Sequence, residues 1–533
     1  MNRIKKFAYL GGGLFMFGVF FGFMIFPKIL KIEIHKQVNL KPGTDVRDVW
    51  SKIPFALDFR VYLFNVTNPD GIKNGEKPIL RQVGPYYFEE WHEKDKLIDS
   101  NKDDTVEYST KNTYIFKAEK SHGLTGEEEL VLPHIFILSL VMAAVRERPS
   151  AMPIINKAVN SMFKNSDNVF VKTKAMDLIF RGLPVDCSVT DTAATAVCNV
   201  VRENSDAFIV EDENHFKFSL LGTKNGTTSK DRTKVLRGVK KQADIGRVIE
   251  FNGKTKISKW NDTFCDSFNG TDSYIFRPYL YKDDDIVTYA PPICRSLSAY
   301  YEKETKVLGI HTNRYTVWLG DSSTIPQQKC YCPASGCLKA GVMDLHKCIG
   351  VPLVASHPHL WRAHNSYLKM VDGLNPTYEE HAIQIDFEPF SGTPIAGKKR
   401  MQFNIMIHPV EKFKIMKNFP EALLPLFWIE EGFLLSDELA SQVKLLHRVR
   451  GIVKTMSIMM ILGGLGISGY AGFMFYQEKQ TMKIDVTKVA SKNKNNNVAL
   501  SVTNVENNGN TNANRYPLKN SNLKTVKVPP AVD

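Results

Sequence analysis

The cysteines are the residues of this chain with the most evident capacity for chemistry. Four of the eight lie between Cys330 and Cys348, at positions 330, 332, 337 and 348, and could supply four thiolate ligands to zinc. Their spacing lacks the paired Cys-x-x-Cys arms typical of such sites, and Cys265 and Cys294 could instead join them in a set of disulfides. The compartment in which this segment lies decides between the two.

A second cluster contains His357, His359 and His364. Pro358 separates the first two, which predicts a rigid turn and not a helix that presents metal ligands on one face. We interpret these side chains as structural histidines.

Enzyme motifs are absent from the sequence. No serine lies in a Gly-x-Ser-x-Gly motif, and there is no His-Glu-x-x-His motif. The triplet Gly253-Lys254-Thr255 resembles the end of a phosphate-binding loop, but Val248 stands where the first glycine is required. We therefore predict a protein that is not an enzyme and has no catalytic residue, metal or cofactor.

Two uncharged segments, residues 7–26 and 455–476, are long enough to cross a bilayer. At about 1.5 Å per residue, a helix of this length spans the roughly 30 Å hydrocarbon layer. Backbone groups in lipid must be paired within the segment, so we predict transmembrane helices over 7–27 and 452–476. The first is too long for the apolar region of a signal peptide, and no small-x-small cleavage site follows Phe26.

Small residues recur one turn apart in both segments. Gly18 and Gly22 lie in the first, and Gly464, Ser468 and Gly472 lie in the second. Small side chains let helix backbones approach closely in lipid. This pattern predicts a packed helix pair or an oligomer contact, although glycine is frequent in membrane helices in general.

The segment 28–451 then lies on one side of the membrane, with residues 1–6 and the tail 477–533 on the other. Flanking lysines and arginines do not decide the orientation. All eight cysteines and four glycosylation sequons, at Asn65, Asn225, Asn261 and Asn269, lie in this segment. Both features are typical of an oxidising compartment, so we predict an extracellular segment, disulfides and cytoplasmic termini.

Composition supports one large folded ectodomain. The chain is 43% hydrophobic and 11% aromatic, and no linker-like tract divides the segment. The formal net charge of +13 would indicate a nucleic-acid partner in a soluble protein, but lysines near anionic lipid explain it in a membrane protein. The tail from Gln477 has nine Lys/Arg against four Asp/Glu and few aromatic residues, which predicts disorder.

Strand patterns dominate the ectodomain. Residues 58–66 are β-branched and aromatic, and short segments of the same kind recur from 208 to 408 between turn residues. This series predicts an antiparallel sheet or barrel. Three helices are predicted between about 124 and 182, over 131–145, 152–164 and 171–181. Their surplus apolar residues form either ordinary core or an exposed apolar surface.

Several motifs, in this order, resemble those of the class B scavenger receptors. They are Tyr-Leu-Phe-Asn-Val-Thr-Asn-Pro at 62–69, Gln-Val-Gly-Pro-Tyr at 82–86, Ala-Pro-Pro-Ile-Cys-Arg-Ser at 290–296, Cys-Tyr-Cys at 330–332 and Glu-Pro-Phe-Ser-Gly-Thr-Pro at 388–394. The resemblance covers roughly residues 5–480. Within this family the chain is most similar to the insect sensory neuron branch, through residues 54–59, 84–91, 123–128 and 178–182.

The resemblance implies an α+β membrane protein. Two transmembrane helices flank an extracellular antiparallel β-barrel with a helical apex, at about 124–182, and an internal lipid tunnel. The family captures ligands with a basic pair at the apex. Lys164 matches one member, Ser166 replaces the other, and Lys172 and Lys174 lie close by. The apolar apex residues expected to meet ligand are Phe136, Val141, Met142, Val145, Ile155 and Phe163.

The resemblance also selects a disulfide pairing within the region 265–348. It implies the bonds Cys265–Cys330, Cys294–Cys348 and Cys332–Cys337. Cys187 and Cys198 would then pair with each other or stay free.

The function implied is that of a receptor or co-receptor for fatty-acid-derived pheromones. The expected location is the plasma membrane of the ciliary dendrite of olfactory neurons, and the expected partners are a lipidic ligand, the bilayer and an odorant receptor. Two other classes remain open. A scavenger, adhesion or cargo receptor would bind lipoprotein or protein, and a ligand-gated channel with two helices per subunit would conduct ions when expressed alone.

Overall fold

A computed structural model of the chain describes residues 2–163 and 167–494. The chain divides into two compact units. The larger one comprises residues 18–458, and the smaller one is formed by the described residues up to 17 and from 459 onward. We describe each unit by itself.

Eighteen strands are numbered in chain order within the described residues. They are β1 Leu57–Val66, β2 Leu80–Ser100, β3 Thr105–Phe116, β4 Glu129–Pro133, β5 Phe170–Lys174, β6 Leu183–Asp186, β7 Ile209–Val210, β8 His215–Phe218, β9 Thr233–Leu236, β10 Val248–Phe251, β11 Ile286–Ala290, β12 Arg295–Val307, β13 Ile310–Val317, β14 Val342–Asp344, β15 Leu353–Ser356, β16 Gln384–Phe387, β17 Pro394–Ile407 and β18 Ala422–Leu434.

Thirteen of these strands form one antiparallel sheet that is nearly closed into a barrel. The strand order is β10-β9-β3-β2-β1-β18-β17-β16-β13-β12-β11, with β15 also pairing with β17 and with β14. This agrees with the antiparallel barrel expected from the sequence. The central strand β1 pairs with β2 on one side and with β18, the last strand in the chain, on the other.

The short segment 270–272 joins the two edge strands β10 and β11, and we call this junction the seam of the barrel. On the β10 side, Val248 N donates to Gly270 O at 3.0 Å and Asp272 N donates to Gly246 O at 3.1 Å. Thr271 forms bridges with Arg247, next to β10, and with Thr288 in β11. Its N–H donates to Val287 O at 3.0 Å, and its carbonyl accepts from Tyr289 N at 2.9 Å. The preceding Gly270 has φ +82°, and a Cβ there would collide with the backbone of Val287. Only glycine allows so close an approach in this conformation.

The α-helices are α1 Asn2–Phe20, α2 Phe26–Gln37, α3 Asp45–Ser51, α4 Pro69–Lys73, α5 Ile135–Glu147, α6 Met152–Met162, α7 Thr192–Glu203, α8 His346–Ile349, α9 Asn365–Leu368, α10 Tyr378–His381 and α11 Asp437–Lys494. Two π-helical turns cover Phe21–Ile25 and Asp177–Arg181. The helix α7 had no counterpart in the prediction.

Two of the predicted apex helices need correction. The helix expected over 131–145 begins at Ile135, because Pro133 cannot donate a backbone hydrogen bond and ends β4 before it. The helix expected over 171–181 is also wrong in its first half. Residues 171–174 belong to β5, where the alternating Val-Lys-Thr-Lys sequence pairs with β4, and only Asp177–Arg181 is helical.

The apex lies at the end of the barrel where β1 finishes. There the backbone N–H of Val131 in β4 donates to Asn65 Oδ1 in β1 at 2.8 Å. One side of α5, with Ile137, Leu138 and Val141 at helical spacing, is buried in the same apolar core as strand β1. These apex residues therefore continue the barrel core.

The smaller unit contains the crossing of α1 and α11. A Cβ placed on Gly11 would lie 2.5 Å from Ser468 Oγ, and one on Gly464 would lie 2.5 Å from the backbone N of Phe15. Gly464 and Ser468 thus serve an intramolecular helix pair, whereas no atom lies within 4 Å of a Cβ built on Gly472. Two helical stretches have the length and an apolar window suited to crossing a membrane. One is Arg3–Gln37, which runs through α1, the π-helical turn and α2, and the other is Asp437–Lys488 within α11.

The helix α11 continues to Lys494. Residues 477–494, the first part of the tail expected to be disordered, are therefore helical. This stretch contains neither Gly nor Pro, so a helix already formed in the apolar segment continues through it. The remainder of the tail, 495–533, lies outside the described residues.

Candidate functional site

The basic residues expected at the apex are paired with acids. Lys172 Nζ lies 2.8 Å from Glu129 Oε2, and Lys174 Nζ lies 2.9 Å from Glu127 Oε2. Glu127 also contacts Arg181. Both lysines are exposed on β5, but their charges are compensated by the neighbouring β4. Lys164 lies outside the described residues.

The apolar residues expected to meet ligand divide into two groups. Val141, Met142 and Ile155 are buried in the core, so they are not part of an exposed apolar surface. Phe136, Val145 and Phe163 are only partly buried, and the rings of Phe136 and Phe163 lie 6.1 Å apart. The burial of these three residues favours ordinary core, the first of the two alternatives, at their positions.

A cavity of about 450 Å³ lies beside Phe163 at the apex. His134, Met162, Phe170 and Phe216 contribute to its walls. His134 is buried, which lowers its pKa to about 4, and its Nδ1 accepts the N–H of Ile137 at the start of α5. Volumes of this size suit a small ligand. Polar side chains, among them Asp186, Glu211 and His215, also line this cavity, which we call the apex niche and which the sequence did not reveal.

A larger cavity of about 630 Å³ lies at the seam, away from the apex. Its walls include Arg247, Arg295 and Thr271, together with the sequon residue Asn269. Polar walls and its position beside a glycosylation sequon make it less suited to an apolar ligand than the apex niche.

One face of the barrel sheet points inward. Paired residues of antiparallel strands point to the same side, and the register aligns Phe88, Phe59, Glu431 and Lys399 across β2, β1, β18 and β17. This side is the interior because a core cluster joins Tyr108 of β3 to Ala355 of β15, with Met401 and Phe403 of β17 packed against it. Because β3 does not neighbour β15 or β17 in the sheet, their side chains can meet only across the interior of the barrel.

Several inward-facing side chains keep part of their surface exposed. Lys399 and Glu431, which form an ion pair at 2.8 Å, have 30% and 22% of their side chains accessible. Met401, Phe403 and Ile429 are also only partly buried. Open space therefore reaches this part of the interior, between an apolar wall and a charged pair.

Strand β2 contributes three ionisable groups to the interior, Glu90, His92 and Lys94, all buried. Burial, and then the nearby charge of Glu431, raises the pKa of Glu90. Burial also lowers the pKa of His92 well below its usual range and that of Lys94 to about 8. Lys94 Nζ donates to Trp50 O at 2.9 Å and lies 4.1 Å from the ring centre of Tyr274.

This row of ionisable residues was missed at the sequence level. Glu90, His92 and Lys94 alternate along a strand, and such alternation is normally the signature of a face in contact with water. Only the register shows that this face points into the barrel.

The cysteines form four disulfides. Three join the partners that the resemblance implies, and the fourth joins Cys187 to Cys198, which the sequence left either paired or free. The bonds are Cys187–Cys198, Cys265–Cys330, Cys294–Cys348 and Cys332–Cys337. Among the described residues, the one group with metal-site geometry is Asp262, Cys265 and Cys330, and its two sulfurs are bonded to each other. Both ring nitrogens of His359 are hydrogen-bonded within the protein, as expected of a structural histidine.

Three of the four sequon asparagines, Asn225, Asn261 and Asn269, are exposed. Asn65 differs, because it is partly buried and its Oδ1 accepts the N–H of Val131. A glycan on Asn65 would have to be accommodated without breaking the junction between β1 and β4.

Comparison with known proteins identifies the family. The model of the CD36 family matches residues 9–475. The chain belongs to the CD36 family. As CD36-family members, the class B scavenger receptors share the architecture described above, with two terminal apolar helices and a large antiparallel barrel.

Relatives in the CD36 family include sensory neuron membrane protein 1 of several insects. The protein of Apis mellifera is 49% identical over 486 residues, which is 91% of this chain and 94% of that protein. Those of Manduca sexta and Antheraea polyphemus are each 41% identical, over 91% and 90% of this chain and 93% and 91% of their own lengths. The chain is therefore a membrane receptor or co-receptor of the CD36 family, similar to proteins of sensory neurons.

Proposed function

We propose that this protein captures hydrophobic, fatty-acid-derived pheromones at the surface of olfactory neurons and passes them through the barrel to the membrane or to an odorant receptor. The observation that carries the proposal is the 49% identity to a sensory neuron membrane protein over nearly the whole chain. The partly exposed apolar side chains inside the barrel support it. Residues 28–451 would be extracellular, and both termini would be cytoplasmic.

The physical reason for such a carrier is the poor solubility of long-chain molecules. Each methylene transferred out of water is worth about 0.8 kcal/mol, so a chain of about 14–16 carbons favours an apolar site by roughly 10 kcal/mol. Such a molecule leaves water readily but needs a covered apolar route to reach a receptor in lipid. The niche beside Phe163 would receive it, and the interior wall of Met401, Phe403 and Ile429 would guide it. No covalent chemistry is required.

The test is to fill the interior with bulky side chains. We expect the double variant Met401→Trp/Ile429→Trp to reach the cell surface and yet to slow and weaken the response of olfactory neurons to a long-chain aldehyde such as hexadecanal. The matched control is Lys398→Trp. Lys398 is exposed on the outer side of β17, beside Lys399, which forms the inward-facing ion pair with Glu431. It should respond like the native protein.

An unchanged response of the double variant, at equal surface expression, would exclude the conduit and favour a docking or scaffold role. Ion current evoked by ligand from this protein expressed alone would instead indicate a channel. Retention of a protein ligand after delipidation would indicate an adhesion or cargo receptor.

A further inference from the structure

The cavity of about 630 Å³ at the seam of the barrel has no part in the proposed function, and we call it the seam cavity. Its walls come from both edges of the sheet, because Arg247 lies beside β10, Val287 lies in β11 and Arg295 begins β12. A molecule bound here would therefore touch the two edge strands that the seam joins. The volume lies within the usual range of about 300–1,000 Å³ for small-molecule sites.

Arg295 is a buried cation without an acidic partner. It lines the seam cavity, and 6% of its surface is accessible. Its Nη1 donates to Leu319 O at 3.0 Å, and its guanidinium carbon lies 4.2 Å from the ring centre of Tyr331. No carboxylate of the described residues forms an ion pair with it, and its Nε–H has no partner there. A buried charge is normally paired with an opposite one, so this guanidinium calls for an anion.

Two more unpaired polar atoms belong to the same walls. Trp318 Nε1 and Gln328 Oε1 are buried without a hydrogen-bond partner among the described residues, and both side chains line the cavity. The next two residues along the chain, Leu319 and Gly320, bring the three groups together. Leu319 accepts from Arg295, and a Cβ on Gly320 would collide with the amide of Gln328. Buried polar atoms are almost always paired, so three unpaired atoms at one cavity indicate a bound partner.

The other charged residues of the walls are already compensated or lie in water. Arg277 Nη2 is 2.7 Å from Asp284 Oδ1, and Arg247 Nε is 3.5 Å from Asp244 Oδ1. Asp285, the acid that lines the cavity, is exposed, so solvent screens its charge. The buried guanidinium is therefore the wall cation that a bound anion would meet.

The remaining walls suit a compact organic molecule. Phe276, Tyr300 and Tyr331 contribute aromatic rings, against which a flat apolar body can pack. The sequon residue Asn269 also lines the cavity, so a glycan there would stand at its edge and restrict the ligand to a small molecule.

We propose that the seam cavity binds a small organic carboxylate, whose oxygens accept hydrogen bonds from Arg295 Nε and Trp318 Nε1 while its apolar body lies against the aromatic walls. Hydrogen bonds between a guanidinium and a carboxylate are about twice as strong as those between neutral groups. Trp318 is only partly buried, so a rotation of its side chain can turn the indole N–H into the cavity. Because the ligand would contact both edge strands, its binding would stabilise the closed barrel.

The experiment measures binding to the full-length protein in nanodiscs by calorimetry and by thermal unfolding, with benzoate, benzamide and sulfate as probes. We expect benzoate to bind and to raise the melting temperature. Benzamide has the same shape without the charge, and sulfate has the charge without the apolar body, so both should bind at least tenfold more weakly. Arg295→Gln should weaken benzoate about ten- to a hundredfold, and Trp318→Phe, which keeps a ring but loses the N–H, about two- to tenfold.

The matched control is Lys329→Gln. It removes one positive charge beside Gln328, but Lys329 is exposed and does not line the cavity, so this variant should bind benzoate like the native protein. An equal loss in this control would reduce the effect to overall charge and reject the site.

Three further outcomes would overturn the site. They are no binding of benzoate, equal binding of benzamide, and unchanged binding of benzoate to a folded Arg295→Gln variant. Sulfate bound as tightly as benzoate would reject the organic ligand class. If Arg295→Gln does not fold, Trp318→Phe decides, because native-like binding of benzoate by that variant would reject the proposed hydrogen bonds. The conduit through the barrel does not depend on any of these results.

Discussion

Two buried carboxyls of the barrel show how local partners set the charge of a residue. Burial alone would raise the pKa of Glu430, but its ion pairs with Arg400 and Arg60 outweigh burial and lower the pKa. Glu90 has no such partner, and burial together with Glu431 raises its pKa to about 8. Glu430 is thus an anion that links β1, β18 and β17 through its two arginine partners, whereas the carboxyl of Glu90 stays protonated at neutral pH.

The raised pKa of Glu90 predicts a pH-dependent stability. The contribution of its protonated form is fully present below the ordinary pKa of 4.5 and is lost as the pH rises toward about 8. Glutamine does not ionise, so Glu90→Gln should melt near the native temperature at pH 5 and above it at pH 8.5. Thermal unfolding of both proteins across this range measures the difference. The control is Glu89→Gln, since Glu89 lies on the opposite side of β2 and pairs with Lys117 and Lys120, and a gap that also widens for it would refute the assignment to Glu90.

The paired lysines of the apex predict a different response. Because Lys172 and Lys174 already balance Glu129 and Glu127, reversing both charges would leave acids alone on this part of β4 and β5. Capture of hexadecanoate by Lys172→Glu/Lys174→Glu should then fall more than capture of hexadecyl acetate. Uptake of the two labelled lipids by expressing cells would measure this, and an equal fall for both would mean that the residues act only in folding.

At the scale of elements, the crossing of α1 and α11 depends on missing side chains. Gly11, Gly464 and Ser468 let the backbones touch, and no larger residue fits between them. In lipid this close packing replaces the hydrophobic effect as the force that holds two helices together.

Replacing one of these glycines should separate the helices. We expect Gly464→Leu to lower the stability by about 1–3 kcal/mol, the usual effect of overpacking, because its side chain would meet the backbone of α1. Gly466→Leu is the matched control, since no atom lies within 4 Å of its Cβ position. Heating in detergent followed by size-exclusion chromatography would compare them, and equal melting of the two variants would contradict the crossing.

At the scale of the whole molecule, the seam at 270–272 closes the barrel, and Thr271 supplies its two hydrogen bonds to β11. Thr271→Pro removes the N–H that bonds to Val287 O and leaves that carbonyl unpaired, so the melting temperature should fall by several degrees. Thr271→Val keeps the N–H and should melt close to the native protein. A proline variant as stable as the valine variant would show that the seam contributes little.

The sequence was sufficient to predict the antiparallel barrel, but not the side chains that face its interior or the short strands at its apex. Alternating β-branched and aromatic residues reveal strands such as β1, and the apolar segments reveal the membrane helices. The sequence did not reveal that Val131 and Val171 would lie in paired strands, because a two-stranded ladder depends on a partner 40 positions away. Nor did it reveal that Glu90, His92 and Lys94 face the barrel interior, since polar alternation is the same whether a face meets water or a barrel interior.

The pairing of β1 with β18 has a consequence for the order of synthesis. Arg60 and Glu430, which face each other across this pair, are 370 positions apart in the chain. At about 5–20 residues per second, β1 waits roughly 20–70 s for its partner to be made. During that time one edge of β1 remains unpaired, and such edges recruit other strands. A ribosome stalled before residue 422 would therefore leave the large sheet without β18 alone, with one edge of β1 and one edge of β17 exposed until that strand is made.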